Sequence, residues 1–193
     1  MNTFRKRTFT LPLLAESLAA TIRHLPTLTN ALLKPKLTPA LREEIMLAVT
    51  HVNDCRYCNW VHTGLALEKG VDLEQLSALL NNNVDAVSES EAVAILFGKH
   101  FADSERRPSA AARQQLAQHY SKAEQLEIMA YIHAIYFANL TGNSADALLA
   151  RLRGQSADGS LPAQTIAAVL GAPVLAAIWL NSWRSGKPAM EHL

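Results

Sequence analysis

An all-α fold is what this sequence predicts, and three observations predict it. Nearly every segment carries apolar residues at helical spacing, and few runs alternate with the period of two that a half-buried strand needs. Helix-start signals recur: Thr38-Pro39, Ser88-x-x-Glu91 and Ser121-x-x-Glu124. With 49 % apolar and 18 % charged residues, the chain can build a core and is not a disordered protein.

Taken in order, Arg5-Lys6-Arg7 reads as a solvated tail, and Leu11–Ala15 is an apolar run that Glu16 cuts short. That run is too brief for a signal core, so a cytoplasmic location is expected. Thr38 caps a helix with Pro39 at its first position and Glu43 and Glu44 near the positive end, running to about His51. Asn53-Asp54 supplies the cap of the next helix, which ends at Gly70. A short helix spans Asp72 to about Leu80, Asn81-Asn82-Asn83 is a loop, Ser88 opens a helix through Phe101, and Pro108-Ser109 opens another. The segment from Ser121 to about Leu140 is apolar nearly all round after Glu127, so it is expected at the centre of the bundle. Thr141-Gly142-Asn143 reads as a break, with a separate helix from Ser144 to Arg153. Gly154 to Pro162 is a polar linker.

Residues 166–180 carry no charge. The run is shorter than the ~20 residues a membrane span needs and contains Gly171 and Pro173, so it is expected as a buried or oligomer-facing helix. The expected organisation is one helical domain over 1–153, with its core in 35–153, and a linker with an apolar helical extension over 154–193. Net charge is +1, which gives no footprint for nucleic acid. Trp60, Trp179 and Trp183 read as packing residues.

The chemistry concentrates in Cys55-Arg56-Tyr57-Cys58-Asn59-Trp60-Val61-His62, which holds both cysteines of the chain. Two cysteines do not make a disulfide scaffold; one Cys-x-x-Cys pair reads as redox or metal chemistry. With Asp54 as cap, Cys55 lies in the first helical turn. Helical spacing then sets the two Cβ atoms ~5–6 Å apart, wider than the ~3.5–4.5 Å of a relaxed disulfide. A bond there should form with adjustment and break readily. His62 follows Cys58 by one turn, and an imidazole beside a thiol at a helix end is expected to depress the Cys58 pKa. Glu43, on the preceding helix, is a candidate to orient His62, or else simply complements its own helix dipole.

Other readings stay open. Zinc would find Cys55, Cys58 and His62, with His51 as an awkward fourth ligand. Covalent haem would need histidine where Asn59 stands. The cysteines could also be small buried apolar residues. The remaining histidines, His24, His100, His119, His133 and His192, have no spaced partner; His133, inside the central helix, is the one to watch.

Glu43, eleven intervening residues and then Cys55-x-x-Cys58-x-x-x-His62, flanked by Leu41-Arg42-Glu43-Glu44-Ile45 and ending at Gly70, resemble the signature of AhpD-like alkylhydroperoxidases in the carboxymuconolactone decarboxylase superfamily. The resemblance extends over about 35–153. It implies an all-α fold, assembly as trimers or hexamers, and a thiol peroxidase cycle with no cofactor or metal. In that cycle Cys58 attacks the peroxide, Cys55 resolves the sulfenic acid to a disulfide, His62 oriented by Glu43 relays protons, and an external dithiol resets the pair. The best-known members carry histidine where Tyr57 stands. The lactone decarboxylase branch typically lacks the cysteine pair. A decarboxylase or isomerase on the same scaffold, and a non-enzymatic redox sensor, are the alternatives.

Overall fold

The computed structural model describes residues 3–81 and 88–185. Eight helices are seen among them: α1 (Leu11–Leu33), α2 (Pro39–Asn53), α3 (Arg56–Glu68), α4 (Leu73–Leu80), α5 (Glu89–Asp103), α6 (Ala110–His119), α7 (Lys122–Leu152) and α8 (Leu161–Ser185). The only strands among the described residues are two-residue pieces, Thr3–Phe4 and Ser156–Ala157, which pair in parallel and tie the N-terminal segment to the connection between α7 and α8. Asn82 and Asn83, read as loop, and His192 lie outside the described residues.

Local chemistry sets the helix starts. Thr38, Asp72, Ser88, Ser109 and Ser121 each accept a first-turn backbone N–H, satisfying a donor that has no partner within its helix. At Ser121 the box is reciprocal, because Glu124 also accepts from the Ser121 N–H at 2.8 Å. Thr10 caps α1 in the same way, over a stretch where the sequence reading assigned no element.

Helix α7 runs through the middle, with α1, α2 and α8 packed along it. Ile128, Ile132, Ile135, Tyr136 and Leu140 meet Ile45, Val49, Ile95 and Phe101 in one core. Glu127, buried in α7, accepts the N–H groups of Lys36 (2.9 Å) and Leu37 (3.3 Å), fixing the chain just before α2. The central helix is longer than its sequence suggests. It continues for 31 residues, and Thr141-Gly142-Asn143 lies inside it, buried. These residues read as a break because Gly and Asn favour turns. Here they serve close packing: Thr141 Oγ1 donates back to the Phe137 carbonyl at 2.8 Å, and Asn143 Nδ2 donates to the Asn53 carbonyl at 2.7 Å.

Two further expectations are corrected. Lys6 and Arg7 are not a solvated tail. Lys6 pairs with Asp54 at 2.9 Å, and Arg7 donates to the Ala102 carbonyl at 2.5 Å. Helix α8 is also unbroken over 25 residues, with Pro173 inside it. Gly171 lets it touch α7, since a Cβ there would overlap Thr141 Cγ2. The buried expectation fails: only 22 % of its apolar window is covered, and Val169, Val174, Trp179 and Trp183 are exposed, so the last two are not core residues. By length and composition alone the helix could cross a membrane.

Candidate active site

The cysteine pair sits where α2 ends and α3 begins. Asp54 does not cap α3. It terminates α2 in the left-handed region (φ 53°, ψ 47°), a conformation Asp tolerates better than most residues. The N-cap of α3 is Cys55 itself, with extended backbone (φ −89°, ψ 107°). The sulfurs are therefore not at helical spacing, and they approach to 3.1 Å as free thiols. Cys55 is fully buried, whereas Cys58 keeps 8 % of its surface open.

Glu43 projects from α2 toward α3 and is 1 % exposed. Its Oε2 accepts from His62 Nδ1 at 2.7 Å, and its Oε1 accepts from Arg42 Nε (3.0 Å) and Nη2 (2.9 Å). Burial pushes this carboxyl up. The hydrogen bonds and charges of His62 and then Arg42 outweigh burial and hold it below its ordinary range. Because Nδ1–H is committed to Glu43, the neutral imidazole presents Nε2 as a lone pair. Glu43 thus does more than complement its own helix dipole.

The expectation of a depressed Cys58 thiol is corrected. Of the two thiols, Cys58 holds its proton the more tightly. The Cys58 thiol is raised well above its ordinary value, first by its hydrogen bond to Cys55 and then by burial, while that same hydrogen bond lowers Cys55. In this resting arrangement Cys58 interacts with Cys55 and with Asn139, an amide donor that favours its ionised form.

Helix α7 supplies residues that the sequence reading missed. Asn139, fully buried, accepts from Asn53 Nδ2 (3.2 Å) and donates to Thr50 Oγ1 (3.1 Å), locking α7 to the end of α2. Gly142 lies against the pair: an added Cβ would stand 2.8 Å from Cys55 Sγ and 3.0 Å from Tyr57 Cδ2. One turn on, Asp146 Oδ1 accepts from Tyr57 Oη (2.7 Å) and Arg56 Nη2 (2.6 Å). Burial, and then the neighbouring carboxylate, push the Tyr57 phenol up to about 12, so it stays protonated at neutral pH. Residues 139, 142, 143 and 146 fall on one helical face, the signal that could have revealed them.

No group of three or more metal-ligating side chains occurs among the described residues. His51 is exposed on α2, and His62 is committed to Glu43. His133 stacks on His24 with ring centroids 4.8 Å apart and is touched edge-on by Phe101.

No curated protein and no solved structure gives a significant match to the chain. Residues 18–97, which hold Glu43, Cys55, Cys58 and His62 and stop short of α7, match the model of the carboxymuconolactone decarboxylase family.

Proposed function

We propose that this protein is a thiol-dependent peroxidase of the AhpD-like branch. One observation carries the reading: two free sulfurs 3.1 Å apart, one of them a single helical turn from an imidazole that a buried carboxylate orients at 2.7 Å. His62 Nε2 takes the Cys58 proton, and the resulting thiolate attacks the distal oxygen of a hydroperoxide. The O–O bond breaks, and the alkoxide takes the proton back from His62 as an alcohol leaves. Cys58 becomes a sulfenic acid. Cys55 then attacks Cys58 Sγ, water leaves, and the Cys55–Cys58 disulfide forms. An external dithiol returns two electrons and two protons. Cys58 is the reacting sulfur in this scheme because it is the one that retains exposure.

The test is peroxide consumption by purified protein with a dithiol reductant, wild type beside Cys58→Ser. Turnover in wild type and its loss in the variant support the reading. Wild-type protein with free thiols and no turnover removes it in favour of a redox sensor, or of a decarboxylase or isomerase on the same scaffold.

We also propose that the protein works as a homo-oligomer, through the exposed side of α8. Val169, Val174, Trp179 and Trp183 form an apolar surface unusual for a monomer in water.

A further inference from the structure

The family match ends at residue 97, yet the nearest wall of the cysteine pair is α7. Asp146 is the one acidic side chain there, and it is nine-tenths buried. It does not touch either sulfur. It binds the two residues between them, taking the Tyr57 phenol at 2.7 Å and the Arg56 guanidinium at 2.6 Å on one oxygen. Arg56 closes the triangle, donating to Tyr57 Oη at 2.9 Å while its guanidinium carbon lies 4.8 Å from the Tyr57 ring centre. The whole Cys-x-x-Cys turn is therefore pinned at its middle, and the pin presses Tyr57 and Cys55 against the bare Cα of Gly142.

We propose that Asp146 is a positioning residue for the cysteine pair, acting through Tyr57 and Arg56 to hold the turn and presenting its negative charge to Cys55. This rests on the reading of the pair as a working thiol couple. A structural clamp alone could be neutral. A buried carboxylate opposes ionisation of a neighbouring thiol, and a guanidinium favours it. The Asp146 charge does act on Cys55 in that direction, against the lowering by Cys58. Arg56, bonded to the same Asp146 oxygen at 2.6 Å, offsets that negative charge.

The two charges make opposite predictions. The experiment uses the Cys58→Ser background, in which Cys55 is the only thiol of the chain. Ultraviolet thiolate absorbance is followed against pH for that protein, for the same protein with Asp146→Asn, and for the same protein with Arg56→Gln. Asn keeps the acceptor oxygen and removes the charge, so Cys55 should ionise at lower pH. Gln leaves Asp146 uncompensated, so Cys55 should ionise at higher pH. Loosening of the turn would move both variants in the same direction. Shifts of the same sign, or no shift in either, overturn the proposal. Thermal melting checks that both variants fold, and Arg56→Lys, which keeps the positive charge and should leave Cys55 near the parent value, replaces Arg56→Gln if that variant does not. The readout needs no peroxide, so a failure of the peroxidase reading in the turnover assay stays distinguishable from a failure here.

Discussion

Gly142 meets Cys55 without a side chain between them: a methyl group on its Cα would stand 2.8 Å from the sulfur. That distance is inside van der Waals contact, and the other neighbour, Tyr57 Cδ2 at 3.0 Å, belongs to a ring held by Asp146. Neither can move away freely. Gly142→Ala should therefore destabilise the fold by about 1–3 kcal/mol, the usual cost of overpacking a filled site. It should also slow closure of the Cys55–Cys58 disulfide. Chemical denaturation and the rate of oxidant-driven thiol loss read the two effects separately. An unchanged midpoint would mean that α7 does not pack on the pair as described.

Glu43 is buried, with both oxygens occupied. Glu43→Gln keeps the shape, breaks the charge-assisted bonds to His62 and Arg42, and should cost about 3–5 kcal/mol, as removal of one partner from a buried pair does. Under the peroxidase reading it should also lower turnover by ~10²–10⁴-fold, the usual worth of general acid–base assistance. The folded carboxyl titrates below its ordinary value of 4.5. Its contribution is therefore complete above about that pH and is lost as pH falls through the folded value. Denaturation midpoints from pH 7 downward should show this loss in wild type and not in the variant.

His133 gives a second pH window of a different origin. Burial, and then the charges of His24, Arg106 and Arg23, lower it from 6.5 to about 4. The folded state holds the ring neutral, and the unfolded state binds a proton sooner. Stability from this group is complete above about pH 6.5 and is lost progressively as pH falls toward 4. The loss should be about 2 kcal/mol once solvent screening is allowed for. His133→Phe, which keeps a ring against His24 and Phe101, should flatten stability across this window. A slope equal to wild type would contradict the assignment.

The exposed face of α8 is tested by Val174→Glu. Light scattering at micromolar concentration should give a multimer for wild type and a smaller species for the variant. A wild-type monomer, or partition of the protein into vesicles, would count against the oligomer reading.

Much of the fold is legible along the chain because caps are local. Thr38, Asp72, Ser88, Ser109 and Ser121 each act within one turn, and their helices begin where those residues stand. The four chemical residues were legible for a related reason: Glu43, Cys55, Cys58 and His62 lie within twenty residues on two successive helices, so one short connection fixes their meeting. Residues whose role depends on distant packing were not legible. Gly142 and Asn143 look like a turn until a second helix end arrives to fill the space beside them. Asp54 looks like a cap, yet adopts a left-handed conformation and pairs with Lys6, 48 residues away. The raised Cys58 thiol is not legible in the sequence either, because it depends on the Cys55 sulfur 3.1 Å away and on burial.

The central claim is that Cys58 attacks and Cys55 resolves. Its most direct measurement is chemical trapping of the sulfenic acid. The Cys55→Ser protein, which cannot form the disulfide, is given one equivalent of an organic hydroperoxide with a sulfenic-acid-specific dione, and the label is located by peptide mass spectrometry. The account predicts label on Cys58, lost when His62 or Glu43 is also neutralised. No label on Cys58, with Cys55 labelled instead in the Cys58→Ser protein, would contradict it.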